Sequence, residues 1–295
     1  MFPKTCPILA LSLALTATGG DPPAPPDPLA TIRTGSYSHA PGFRASAQVL
    51  NWNIDRGGNL EGVEAAMRNV KPDLCILQEV DLSARRTGGK DIALELAKSF
   101  GLNYSFAPEF QELSQSIDNS PAYHGQAILT TWPIVSTRIL RFAHQSGFWK
   151  PRPLLISSLP LLQRREGGRI AQISELDNGG KKVVVYNLHL ESRGSENGRL
   201  IQLNEVLTDA ERYPAGTAVI IAGDFNTKSW HSPLIDRLKQ AGYRNSWGNR
   251  RIRTHVIIGA LDWVFVRGPI ECEDARVLRN VHASDHFPIS VSVKF

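Results

Sequence analysis

Residues with chemical potential gather at two places in the sequence. Gly223-Asp224-Phe225-Asn226 follows the apolar run Ala218-Val219-Ile220-Ile221-Ala222, and Ser284-Asp285-His286-Phe287-Pro288 leads into Ile289-Ser290-Val291-Ser292-Val293. Two carboxylates, an amide and an imidazole, each placed where a buried strand meets a loop, suit the cleavage of phosphate esters. That reaction needs a hard cation held by oxygens, a carboxylate to take a proton from water, and a donor facing the phosphate.

More polar residues recur at the ends of apolar runs: Asn53 and Asp55, Gln78 and Glu79, Asn187 and His189, and Asp262. Strand ends are rigid yet open to loops, so side chains far apart in sequence can converge there at little entropic cost. A single such residue reads as a cap or a turn. Six groups of them, each beside an apolar strand, read as a site.

The elements that must position them follow from periodicity. Gln48–Ile54 alternates as a strand and Arg56-Gly57-Gly58 breaks it; Leu60, Val63, Ala66, Met67 and Val70 have helical spacing, ended by Lys71-Pro72-Asp73. Strands are predicted over Leu74–Glu79, Tyr104–Phe106, Gln126–Thr130, Arg169–Ile173, Lys182–Leu190, Ala218–Ala222, Leu261–Val266 and Ile289–Val293. Helices are predicted over Ile92–Ala97, closed by Gly101, and over Arg199–Arg212 and Ser232–Ala241. Many strands with few helices point to an α/β protein with sheets packed face to face and helices outside, not to one doubly wound parallel sheet.

The chain has 295 residues, 42 % hydrophobic and 21 % charged, with six Trp and eleven Phe, enough for one large domain with a full core. No segment after the first twenty residues is apolar long enough to span a bilayer. Residues 1–20 have the layout of a secretory signal peptide: Lys4, the apolar run Pro7–Leu15, then small residues. The sequence therefore predicts a secreted or periplasmic protein. Residues 21–44 read as a linker, with Asp21–Pro28 a Pro-rich tether, and the domain is predicted over 45–295. Cys75, inside an apolar run, reads as a buried filler, and no disulfide framework or zinc cluster is visible.

A net charge of +5 favours anionic substrates. Locally, Arg138, Arg141, Lys150, Arg152, Arg164, Arg165 and Arg169 interleave with Phe142, Phe148 and Trp149. Two readings stand: a surface for a phosphate chain with stackable bases, or a solvated loop whose aromatics dock on the domain.

The ordered set Asn-Trp-Asn-Ile (51–54), Leu-Gln-Glu-Val (77–80), Asn-Leu-His-Leu-Glu-Ser (187–192), Gly-Asp-Phe-Asn (223–226), Leu-Asp-Trp-Val (261–264) and Ser-Asp-His-Phe-Pro (284–288) resembles the endonuclease/exonuclease/phosphatase superfamily. The match runs from Val49 to Val293 in the family's order. The resemblance implies a DNase-like four-layer sandwich, two packed mixed β-sheets flanked by helices.

It also implies roles. Glu79 corresponds to the metal-binding glutamate, with Asn53 and Asp285 as further ligands for Mg²⁺, or Mn²⁺ in its place. Asp224 corresponds to the aspartate that orients or deprotonates the attacking water, and Asn226 to the amide that holds it. His286 corresponds to a donor to the phosphate, its charge held by Asp262, which by itself also reads as a strand cap. His189 corresponds to a donor on the opposite side. Substrate contacts are expected from Asp55, Arg86, His124 and Asn187, each with a plainer reading: Asp55 as a partner of Asn53, Arg86 in a surface loop, His124 in a turn, Asn187 as a structural hydrogen-bonder.

Together these imply a metal-dependent phosphoesterase acting on a phosphoester, nucleic acid first. A sphingomyelinase-type phospholipase, or a phosphatase on a soluble phosphoester, would share every catalytic residue. An inactive binding protein on the same fold would lack some of these residues, and none is missing. No feature calls for an obligate protein partner.

Overall fold

The computed structural model describes residues 27–39, 42–150, 164–227 and 231–295. The leader over 1–20, most of the Pro-rich tether and Arg152 lie outside the described residues. From the start, the chain forms β1 (Arg33–Gly35), β2 (Ser46–Arg56), α1 (Leu60–Val70), β3 (Leu74–Leu82), α2 (Ile92–Phe100), β4 (Asn103–Ile117) and β5 (Ser120–Thr130). It continues through β6 (Ile134–Arg141), β7 (Arg165–Gly167), β8 (Ile170–Asn178), β9 (Lys181–His189), α3 (Glu196–Ala210) and β10 (Ala218–Asp224). The last elements are α4 (Pro233–Gln240), β11 (Arg244–Asn245), β12 (Asp262–Arg267), β13 (Glu271–Val277) and β14 (Ile289–Lys294).

Two mixed sheets result. One has the order β1-β4-β5-β3-β2-β14-β13, with β7 also on β4; the other has the order β11-β12-β10-β9-β8-β6. Parallel pairs sit at the centre of each, β2 with β3 and β9 with β10, and antiparallel pairs flank them. Central strands are apolar on both faces, as burial on two sides requires: Ala218–Asp224 is buried throughout. One core fills the space between the sheets and under α3 and α4, with Val185, Ile221, Phe265 and Leu203 among its members. A second lies between the first sheet and α1 and α2, around Trp52, Met67 and Leu96. The four layers are the expected sandwich.

Local signals set the helix limits. Asn59, Asp91, Ser195 and Ser232 each accept a bond from a first-turn amide at the helix start. Lys71 and Gly101 close α1 and α2 in left-handed conformation. The Ser195 cap starts α3 at Glu196, earlier than apolar spacing alone places it.

Other segments depart from the periodicity reading. β4 is far longer than Tyr104–Phe106: it runs on through Pro108 and a polar stretch to a tight turn at Asp118 and Asn119, both with positive φ, which sends it back as β5. The strands β6 and β13 carry no alternation signal because they lie at sheet edges, where charged residues are tolerated on exposed faces. Residues 33–35, inside the segment read as linker, form β1 and pair with Tyr104–Phe106.

Candidate active site

In the second sheet, strand register aligns three chemical side chains. β10 pairs with β12 so that Asp224 stands opposite Asp262, and with β9 so that Asp224 stands opposite His189. Residues directly opposite share a face, so residues distant in sequence form one row. Gly223 permits the close strand approach: its φ is 144°, and a Cβ there would lie 2.0 Å from the Leu188 carbonyl oxygen.

In the first sheet, the strands bulge at the same level. The β2–β3 register shifts between Asn53 and Arg56, and the β3–β5 register between Leu77 and Val80. Asp55, Arg56 and Glu79 adopt φ of 42°, 68° and 51°, and Asn226 across the cleft 51°. Each costs about 1–3 kcal/mol, and such strain concentrates at functional sites. Bulges re-aim side chains, and here Glu79 faces a cleft of about 310 Å³ that His189, Asp224, Asn226, Asp285 and His286 also line.

Asn53 joins the sheets. Its Nδ2 donates to Glu79 Oε1 at 3.3 Å and to Asp224 Oδ2 at 3.2 Å, while its Oδ1 accepts from the Asp55 amide at 3.2 Å. Asp224 Oδ1 accepts from the Asn226 amide at 2.8 Å, and the Asn226 side chain donates to the Leu190 carbonyl at 3.0 Å. His286 Nδ1 lies 2.8 Å from Asp262 Oδ2, and its Nε2 lies 3.8 Å from Asp224 Oδ2. Burial opposes charge on this ring, but Asp262 and Asp224 push its pKa up to about 10. His286 is thus a cation at neutral pH, a donor aimed toward the cleft.

Behind Glu79 stands a chain of polar contacts, in which burial pushes the His124 pKa down. His124 Nε2 is 4.0 Å from Glu79 Oε2, His124 Nδ1 is 2.9 Å from Asp81 Oδ1, and Arg86 holds both Asp81 oxygens at 2.6 and 2.7 Å. Burial raises the pKa of Glu79, but His124, Arg56 and His189 outweigh it and hold the carboxyl well below its usual range. Burial also leads for Asp55, whose carboxyl it pushes up against the pull of Arg56. Arg86 donates to Glu112 as well, at 3.0 Å. The structure therefore places Arg86 and His124 behind the metal-type carboxylate instead of on the cleft wall. Asn187 lies deeper still, wholly buried between the sheets: its Nδ2 donates to the Leu77 and Ala127 carbonyls at 2.9 and 3.1 Å, and its Oδ1 accepts from Gln78 at 2.8 Å.

The donor chemistry fits a hard divalent cation. Glu79 Oε2 accepts no hydrogen bond among the described residues, and the Asp285 side chain is 55 % exposed at the rim. Asp224, Asp262 and His286 form one cluster of ligand-type atoms within 4.8 Å of one another; His255, Asp285 and His286 form another. With its proton in place His286 is a donor in both, which leaves the carboxylate oxygens to hold an ion.

Several cleft residues carry no motif: Arg56, Arg193, His255 and Ile258. His255 sits in a loop without periodicity, yet bridges to His286 and meets its ring edge-on at 4.8 Å. The basic-aromatic segment divides. Arg138 pairs with Asp209, and Arg141 donates to backbone carbonyls including Gly168 at 3.0 Å. Trp149, Arg165 and Arg169 form one wall of the cleft. Glu191 anchors that wall, accepting from Trp149 Nε1 at 3.0 Å and Ser146 Oγ at 2.7 Å.

The described fold matches known structures over most of its length. An endonuclease/exonuclease/phosphatase from Beutenbergia cavernae superposes with a TM-score of 0.63 at 18 % identity, over 85 % of this chain and 72 % of that one. The human Nocturnin catalytic domain with bound sulfate gives 0.64 at 16 % identity, over 90 % and 97 %. Humanized D. rerio TDP2 gives 0.59 at 17 % identity, over 85 % and 100 %. No curated protein matches the chain in sequence. The family model for the Endonuclease/Exonuclease/phosphatase family matches residues 50–286, a span that holds five of the six motifs whole and the Ser-Asp-His of the sixth, and the chain belongs to that family.

Proposed function

We propose that this family member is a Mg²⁺-dependent phosphodiesterase that hydrolyses P–O bonds in nucleic acid. The observation that carries the reading is the Asp262–His286 pair at 2.8 Å, set beside Asp224 and facing Glu79 across one arginine-lined cleft.

Asp224 takes the proton from the attacking water. Asn53 and the Asn226 amide hold the two Asp224 oxygens, so the base is oriented before substrate arrives. His286, charged through Asp262, and His189 donate to phosphate oxygens, opposing the charge that grows there. Glu79 and Asp285 would hold the divalent ion, with Asn53 beside them, and such an ion supplies charge neutralisation at the phosphoryl and leaving oxygens. The preference for nucleic acid rests on the arginines and Trp149 of the cleft wall, which suit phosphates flanked by flat bases.

A lipid phosphodiester is the second reading. Ile257 is 83 % exposed, and its neighbour Ile258 lines the cleft, so an apolar loop tip stands beside the reacting groups. A panel assay in Mg²⁺ with plasmid DNA, RNA, sphingomyelin, inositol phosphates and bis-p-nitrophenyl phosphate separates these. Turnover of sphingomyelin but neither nucleic acid overturns the nucleic-acid reading.

A further inference from the structure

Arg165 is a cation with an unused end. Its side chain is 5 % exposed, yet it lines the cleft. Its Nε lies 2.7 Å from Glu112 Oε1 as an ion pair without hydrogen-bond geometry, and the guanidinium makes no hydrogen bond among the described residues. A buried guanidinium normally satisfies its donors.

The group is also immobilised. Its Cζ lies 5.1 Å from the Trp149 ring centre and 5.4 Å from that of Phe110, both within cation–π range. Glu112, wholly buried, pairs in charge with the Nε edge and is itself held by Arg86 at 3.0 Å. Trp149 is pinned through Glu191. The neighbouring cleft arginines are engaged differently: Arg56 with Asp55, Arg169 with Glu109 and His189, and exposed Arg193 over Phe148 at the mouth. The cleft wall presents four guanidinia and the three carboxylates Glu79, Asp224 and Asp285, and Arg56, Arg165 and Arg169 are also paired from behind with Asp55, Glu112 and Glu109. A single phosphodiester brings one negative charge, and the donors of Asp224's surroundings already serve it. The terminal fork of Arg165 is left over, and a planar fork matches the oxygens of a phosphate.

We propose that Arg165 is a specificity-determining residue that binds a second phosphate of the substrate, one that is not cleaved. The proposal rests on the reading of the cleft as a phosphodiesterase site. It makes the preferred substrate a short, terminally phosphorylated strand instead of an unphosphorylated one.

Calorimetry in Mg²⁺ tests it with a thymidine dinucleotide whose linkage is a non-hydrolysable methylenephosphonate, carrying a terminal phosphate at the 5′ end, at the 3′ end or at neither. One phosphorylated form should bind about tenfold tighter than the bare dinucleotide. Arg165→Gln should bring that ratio to about one, and Arg165→Lys should keep part of it, since the charge remains but the fork is lost. Equal affinities of all three forms for the wild type, or a ratio that survives Arg165→Gln, overturn the proposal. Thermal melts show whether each variant folds, and equal wild-type affinities for the three forms overturn the proposal whether or not they do. The nucleic-acid reading is scored apart, by hydrolysis of the natural phosphodiester dinucleotide. If that is not turned over and no dinucleotide binds, inorganic pyrophosphate against inorganic phosphate is the probe pair, and equal affinities overturn the role of Arg165.

Discussion

Arg169 Nη1 lies 2.8 Å from Nδ1 of His189. A guanidinium can only donate, so Nδ1 is the acceptor in this pair, and the tautomer that matches it carries its proton on Nε2. That nitrogen is the one facing Asp224 Oδ2 at 3.7 Å and Glu79 Oε1 at 3.9 Å. The tautomer that lets His189 donate into the cleft is therefore set from behind, by an arginine that buried Glu109 holds at 3.4 Å.

Arg169→Met removes that arginine and leaves buried Glu109 with only the Gln126 amide at 3.3 Å and the His189 ring at 3.5 Å. Stability should fall by about 3–5 kcal/mol, measured by urea unfolding. Adding Glu109→Gln should recover a large part of the loss. Equal stability of the single and double variants would show that the two residues are not coupled.

Glu109 also predicts an acid limit. Burial raises its pKa, but Arg169, joined by His189, overrides this and brings it down to about 2, from an ordinary value of 4.5. The unfolded chain binds this proton first as pH falls, so the stabilisation is complete above 4.5 and is lost between there and 2. The amount is on the order of 3 kcal/mol. Unfolding free energy measured against pH should show that slope in the wild type and a shallower one in Glu109→Gln.

Catalysis should require Mg²⁺ or Mn²⁺, because the ligands on offer are oxygens. EDTA should abolish turnover, and restored Mg²⁺ should return it. Glu79→Gln should raise the Mg²⁺ concentration needed for half-maximal rate by about tenfold or more. Full turnover in chelator contradicts the metal requirement.

Asp224→Asn keeps the shape of the side chain and removes the base. Turnover should fall by about a hundredfold or more with the melting temperature nearly unchanged. A rate near wild type removes Asp224 from proton transfer.

Asp262 and His286 should act as one unit. His286→Ala and Asp262→Ala should each cripple turnover, and the double variant should lose much less than the product of the two losses. Multiplicative losses in kcat would argue that the 2.8 Å pair has no catalytic meaning.

Much of this site was legible in the chain itself. The motifs at Asn53, Glu79, His189, Asp224, Asp262 and Asp285-His286 stand at the ends of apolar runs, and a strand end is where a side chain can be both rigid and accessible. Central strands such as Ala218–Asp224 are apolar on both faces, so composition alone marks them, and Ser, Asp and Asn caps mark the helix starts. Edge strands β6 and β13 left no such trace, because their exposed faces are free to carry charge. Tertiary structure alone decided which polar residues meet. Arg86, His124 and Asn187 have the same chemistry as cleft residues, but bulges and inter-sheet packing turn them behind Glu79 or between the sheets. Arg165, His255 and Arg193 reach the cleft from loops or a short edge strand, whose paths are set by long-range contacts and not by any local period. Proton positions belong to the same category: the Nε2 proton of His189 and the charge on His286 arise from Arg169 and Asp262, neighbours that only the folded chain supplies.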